Sequence, residues 1–136
     1  MKLGDLKVGD VLPPLRWPPV SRLDLIKYAG ASGDYNPIHT IDEAAEQAGL
    51  PGVIAHGMLT MGRMGKLFSP YFEEGFISSF STRFTGMVFL NDEITMTAKL
   101  VAKTDDVLTF QVEAVKQTGD TAARATVVFK LYDAMD

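Results

Sequence analysis

The sequence contains no cysteine. Disulfides, thiolate nucleophiles and cysteine-based metal sites are therefore excluded, and a reducing compartment fits. Histidine occurs only twice, as His39 and His56, which is too little for a His-rich metal site, so no metal is expected. The chain lacks a Gly-x-Ser-x-Gly elbow, a glycine-rich phosphate loop and histidines at metal-binding spacing, and nothing supports a nucleophilic triad. No apolar run approaches the length of a membrane span. The first residues, Met1-Lys2-Leu3-Gly4-Asp5, carry no apolar core of a secretory signal, and the expected location is the cytoplasm. Basic residues form no stripe, and the net charge is -4. That balance argues against a nucleic-acid partner.

What remains is an ordinary globular composition. The 136 residues are 46% hydrophobic and 22% charged, which suits one domain, 1–136, with a moderate core. Internal repeats and low-complexity segments are absent. Residues 1–20 read as an extended lead-in. Lys7 to Leu12 can form a turn and a short strand, while Pro13, Pro14, Pro18 and Pro19 forbid a central strand. An edge strand or a surface wrap is expected there.

Ser21 is a good N-cap, with Asp24 three residues on. Leu25, Ile26 and Ala29 give the first helix an inward face, and Gly30 and Gly33 end it. A short second helix is expected over Asp42 to Ala48, stopped by Gly49. A third runs from about His56 to Tyr71. Its Met58, Leu59, Met61, Met64, Leu67 and Phe68 cover most of the circumference, so it should be buried. Gly62 and Gly65 weaken it unless something approaches closely.

After Gly75 the period becomes two. Phe76, Phe80, Phe84 and Val88 form one row. Ile94, Met96, Ala98, Leu100 and Ala102 form the next, followed by Leu108, Phe110, Val112 and Ala114. Ala123, Ala125, Val127, Phe129 and Leu131 form the last. Short polar turns at Asn91-Asp92, Thr104 to Asp106 and Thr118 to Asp120 predict an antiparallel meander. The fold class is α+β: a curved antiparallel sheet of about five strands wrapped around a long central helix. Its free edges and apolar surface suit pairing with a second copy.

The candidate chemistry sits in Gly33-Asp34-Tyr35-Asn36-Pro37-Ile38-His39. Pro37 keeps this stretch from being regular helix. Asp34 is a base or an orienting acceptor, or else a turn residue capping nearby amides. His39 can exchange protons near neutral pH, or is a hydrogen-bonded core histidine. Asn36 holds the loop through side-chain to backbone bonds. Gly57 opens the third helix. Its amide could meet a ligand oxygen in the helix dipole, or it is an ordinary helix start. His56 reads as structural. Arg83 lies on a strand opposite the Phe row, as a solvated residue or as a contact for a carrier phosphate. Lys27, Arg63 and Lys66 are equally open.

The stretch from Tyr28 to His39, followed by Ala45, resembles the signature of the MaoC-like or hydratase 2 family. These are (R)-specific enoyl-CoA hydratases and (3R)-hydroxyacyl-carrier-protein dehydratases. Gly49 to Met58 resembles a second family block, and Arg83-Phe84 through Asn91-Asp92-Glu93 a third, with Asn91 where a glycine is more usual. The resemblance implies a hot-dog fold and a dimer with sites near the subunit interface. It implies that Asp34 and His39 bind and activate water, and that the Gly57 amide holds the thioester oxygen. No cofactor is implied, because the substrate itself is carried as a CoA or acyl-carrier-protein (ACP) thioester. The expected reaction is reversible hydration of trans-2-enoyl thioesters to (3R)-3-hydroxyacyl thioesters. A (3R)-hydroxyacyl-ACP dehydratase subunit and a non-catalytic acyl-binding hot-dog subunit are the alternatives. The partner is a second copy, or a different hot-dog chain in a heterodimer, since the stretch through Met61-Gly62 looks closest to catalytic subunits of heterodimeric long-chain dehydratases. A serine that often supports the family's loop is replaced here by Gly65.

Overall fold

The computed structural model describes residues 1–132. Its frame is a five-stranded antiparallel sheet. Strands β1 (Leu15–Arg16), β2 (Gly75–Phe84), β3 (Ile94–Thr104), β4 (Val107–Lys116) and β5 (Thr121–Leu131) lie in the order β1-β3-β4-β5-β2. The meander therefore runs through β3, β4 and β5. The Asn91-Asp92 turn does not make a hairpin between β2 and β3, because β2 crosses to the far side and pairs with β5. Asn91 sits at φ 69°, in the left-handed region that asparagine tolerates almost as well as glycine.

The proline-rich lead-in occupies the opposite edge. The Leu12 N–H donates to Ala98, and β1 pairs with Met96 and Thr95. Prolines are tolerated there because one side of the strand needs no ladder partner. Three helices follow or precede the sheet strands: α1 (Arg22–Ser32), α2 (Asp42–Gln47) and α3 (Gly57–Gly65). The third helix is shorter than its sequence suggests. It covers nine residues and gives way to a turn and a 3-10 segment, Ser69–Tyr71, at Pro70. It packs across the inner face of the sheet. Met64 and Phe68 are fully buried, and the Phe68 ring lies 5.2 Å from Phe110 and 6.3 Å from Phe129. This is the sheet-around-helix arrangement of the hot-dog fold. Among the described residues, no helix is long and apolar enough to cross a membrane.

Inward rows on β3, β4 and β5 follow the alternation as far as Leu100, and bulges change the rest. Between Ile77 and Ser79 the β2 register shifts. Ile77 consequently pairs with buried Phe129, and Phe76 turns outward beside Lys130. A second shift between Leu100 and Ala102 turns Ala102 outward. The same shift turns Lys103 toward the lead-in, where its ammonium donates to the carbonyls of Gly4 (2.6 Å) and Leu6 (2.9 Å). One extra residue in a strand reverses every side chain beyond it. Helix α3 is also less enclosed than its composition implies. Thr60 and Met64 are buried, whereas Met58 is 57% exposed and Gly62 has open space beside it. Within α1, Gly30 is internal rather than terminal, and Ile26 is exposed.

Candidate active site

The site is assembled by the ends of two helices and the segment between them. Ser21 caps α1 through a reciprocal pair of bonds with Asp24 (3.0 and 3.1 Å). Hydrogen bonding from the Ser21 amide, with smaller help from Arg63, holds the Asp24 carboxyl below its ordinary range. At the other end Gly33, at φ 75°, closes the helix with its N–H on Ala29. A side chain is strained in that backbone conformation, so glycine fits the position. The chain then turns away from the helix axis. Ser32 Oγ accepts from the Asp34 N–H (3.1 Å) while donating to the Tyr28 carbonyl (2.7 Å). Asn36 Oδ1 accepts from the Ile38 N–H (3.2 Å), and Pro37 starts a single 3-10 turn, Pro37–His39. Arg22, at the start of α1, ties that helix to α2 through Asp42 at 3.0 Å.

The turn delivers His39 into the core, where it is 8% exposed. Its Nδ1 lies 2.7 Å from the Ile54 carbonyl oxygen. A carbonyl only accepts, so Nδ1 carries the hydrogen and Nε2 is left with a lone pair. That Nε2 faces Asp34 Oδ2 across 3.8 Å. Asp34 is half exposed, and its other oxygen accepts from the Asn36 N–H (3.2 Å). The turn-capping role and the pairing with His39 are thus both present in one carboxylate. One water could bridge the two acceptors.

His56 joins them. Its Nε2–H donates to the Asp34 carbonyl (3.1 Å), and its ring stacks on His39 with centroids 3.8 Å apart and 24° between planes. Tyr28 also packs edge-on with the His56 ring, centroids 4.8 Å apart. His56 therefore fixes both the backbone of one candidate residue and the ring of the other. Asp34, His39 and His56 offer ligand-type atoms within 4.8 Å of one another. A ligating nitrogen needs a lone pair, and here His39 Nδ1 and His56 Nε2 each spend a hydrogen on a backbone carbonyl. A metal would therefore have to take His56 through Nδ1 or break its bond to the Asp34 carbonyl.

His56 is also the residue before α3, and its side chain makes no capping bond to that helix. The first amides of α3, beginning at Gly57, thus have no side-chain acceptor. Gly57 and Thr60 border a cleft of about 260 Å³, lined also by Ile54, Phe84, Met87 and Val88 among others. A Cβ at Gly57 would come within 3.2 Å of the Phe84 ring. Asp34 and His39 do not line this cleft. Ile54 is the link, since it both borders the cleft and accepts from His39.

A polar knot holds the far wall. Buried Asp92 accepts from the Phe89 N–H (2.7 Å) and Gln117 Nε2 (2.8 Å), with the Lys116 ammonium at 3.0 Å. Burial opposes ionisation of Asp92. The Gln117 and Phe89 bonds and then Lys116 override that, and its carboxyl lies below the usual aspartate range. Lys116 also donates to the Met87 carbonyl (3.1 Å). Sequence reasoning treated Asp92 as a turn residue and missed this knot. A buried hub has no local signature when its partners come from another hairpin.

Gly65 has no close neighbour: a Cβ there would meet Phe80 at an ordinary 3.5 Å. Loop support comes instead from Ser32, Asn36 and His56. Arg63 packs over the Trp17 ring at 4.6 Å and lies 3.6 Å from Asp24, which makes it an anchor between the lead-in and α1.

Comparison with known proteins bears on the family and the fold. The family described as "MaoC like domain" matches residues 7–123. A mitochondrial 3-hydroxyacyl-[acyl-carrier-protein] dehydratase of Arabidopsis thaliana is 38% identical over 89 residues, covering 65% of this chain and 52% of that protein. A fatty acid synthase subunit beta of Aspergillus oryzae is 42% identical over 77 residues, covering 54% of this chain. The chain thus spans about half the length of the first relative (52%) and 4% of the second. The (R)-hydratase of A. caviae involved in PHA biosynthesis superposes with a TM-score of 0.83 at 25% identity, covering 94% of this chain and 98% of that one. The chain belongs to the MaoC-like family, a hot-dog family of hydratases and dehydratases.

Proposed function

We propose that this protein catalyses reversible hydration of trans-2-enoyl thioesters to (3R)-3-hydroxyacyl thioesters. One observation carries the reading: His39 commits Nδ1–H to Ile54, so Nε2 faces the Asp34 carboxylate across 3.8 Å, and His56, the residue before Gly57, stacks on the His39 ring. In this proposal Asp34 and His39 hold one water between them. The thioester oxygen accepts from the Gly57 N–H, where the helix dipole adds a fixed positive field. As the water oxygen bonds to C3, the π pair of C2=C3 moves toward the thioester, and negative charge gathers at the oxygen on Gly57. One water proton passes to the Asp34–His39 pair, and a proton returns to C2. The thioester itself makes C2 acidic, so the step needs no metal or redox cofactor, and dialysis against a chelator should leave the rate unchanged. Asn36 keeps the loop in shape through Ile38.

Purified Asp34→Asn and His39→Gln should each lose about 10²–10⁴-fold in turnover of crotonyl-CoA while remaining folded, the range for a displaced acid–base group. Chiral analysis of the wild-type product should return the 3R alcohol. Near-wild-type rates in both variants would sink the assignment.

The Arabidopsis relative supports a second reading, in which the carrier is ACP and the direction is dehydration. Turnover of one acyl group on the two carriers separates them. Retention of both Asp34 and His39 favours a catalytic chain over an acyl-binding one. Phe84, Met58 and Met87, each about half exposed beside the cleft or the start of α3, favour a second copy or a related hot-dog chain covering them. Sedimentation of the purified chain alone and co-expressed with a related chain tests that assembly.

A further inference from the structure

The outer face of the sheet contains one cross-strand pair that breaks the usual pairing rule. Arg83 on β2 and Arg124 on β5 are direct partners. Like charges directly opposite one another on neighbouring strands repel. The nearest compensation is Glu113, the partner of Arg124 on its other side, with an oxygen 3.6 Å from Arg124 Nε. Arg83 has no carboxylate partner among the described residues. Two guanidiniums thus face one carboxylate, in a chain whose net charge is -4.

Around them the face is built from hydrogen-bonding side chains. Arg83 and Arg124 line a groove of about 500 Å³ together with Ser81, Thr85, Gln111 and Thr126. Ser81, Thr126 and Gln111 form the adjoining row across the three strands, and Gln111 Nε2 donates to Thr126 Oγ1 (3.2 Å). The position of the groove is the informative part. Arg83 and Thr85 border the groove, and their chain neighbours Phe84 and Gly86 border the cleft at Gly57. Groove and cleft lie back to back across the end of edge strand β2. The end of β2 thus stands between a thioester seated at Gly57 and the two arginines.

We propose that Arg83 and Arg124 seat the phosphate of the thioester's carrier arm, the phosphopantetheine phosphate common to coenzyme A and to an acylated carrier protein. Guanidiniums bind phosphate oxygens through paired, charge-assisted hydrogen bonds, and the flanking hydroxyls and amide supply further donors. An anion there also removes the Arg–Arg repulsion. The inference rests on the thioester reading above and adds how the carrier is recognised.

The test compares crotonyl-pantetheine, crotonyl-4′-phosphopantetheine and crotonyl-CoA as substrates for the wild type, Arg83→Ser, Arg124→Ser and, as a control on the same face, Lys99→Ser. The two arginine variants should raise KM for the phosphorylated esters about ten-fold more than for crotonyl-pantetheine, with kcat changed little, while Lys99→Ser leaves that ratio alone. A rise seen with crotonyl-CoA but not with crotonyl-4′-phosphopantetheine would place the nucleotide phosphates there instead and overturn the assignment. An equal effect on all three substrates would also overturn it. Should no substrate turn over, the hydratase reading fails by itself. The groove is then judged by titration calorimetry with free coenzyme A, whose affinity must fall in Arg83→Ser and drop with added salt.

Discussion

For His39, a candidate catalytic residue, the surroundings matter as much as the imidazole itself. The imidazole becomes a directed acceptor because the Ile54 carbonyl takes its Nδ1 hydrogen, and it stays in place because His56 stacks on it. The same His56 donates to the Asp34 carbonyl, so one buried ring aligns both partners. His56→Phe keeps an aromatic ring but loses the bond to Asp34. Loss of a hydrogen bond to a group that must sit accurately costs about 1–2 kcal/mol, so kcat on crotonyl-CoA should fall by roughly ten-fold. Steady-state kinetics with a thermal melt checks this; an unchanged kcat in a folded variant would limit His56 to packing. The motif around Asp34 and His39 was legible in the sequence because Gly33, Asn36 and Pro37 each constrain the backbone locally. His56 read as merely structural because its partners lie 17 and 22 positions away, at His39 and Asp34.

Among the elements, those set by local chemistry formed where expected. Ser21 and Asp24 form a capping box, and Gly33 ends α1. The inward rows of β4 and β5 followed the alternation, whereas β2 and the end of β3 departed from it where the register shifts, because a bulge leaves unchanged the local polarity that alternation reads. Helix α3 is an intermediate case. Its apolar residues suggest full burial, yet Gly62 is exposed mid-helix with nothing near it. Gly62→Ala should therefore stabilise the chain by up to about 1 kcal/mol, a rise of roughly 3–5 °C in Tm. A fall in Tm together with loss of a dimer would mean that a second copy covers that face. The Asp92 knot gives a pH prediction. Its folded carboxyl titrates lower than in the unfolded chain, where aspartate titrates near about 3.9. Its contribution is present above that value and is lost as pH falls through the lower folded value. Asp92→Asn should destabilise by about 2–3 kcal/mol near neutrality, with the gap to wild type closing below about pH 4. Denaturant melts across pH measure it. A gap independent of pH would remove the carboxylate from the account.

At the scale of the whole molecule, strand β2 is decisive. It crosses to the far edge of the sheet, and its inner side meets the cleft while its outer side carries Arg83. The amino-acid sequence by itself determined the helix caps, the bent loop holding Asp34 and His39, the glycine at the start of α3 and the strand count. Each of these follows from backbone restrictions or side-chain periods that act over a few residues. Only the tertiary structure decided that β2 pairs with β5, that Arg83 faces Arg124, that Asp92 meets Lys116 and Gln117, and that His56 joins the two candidate catalytic residues. Those contacts depend on strand order and register, which arise when distant segments compete to bury the same apolar surface. No local pattern encodes the outcome of that competition.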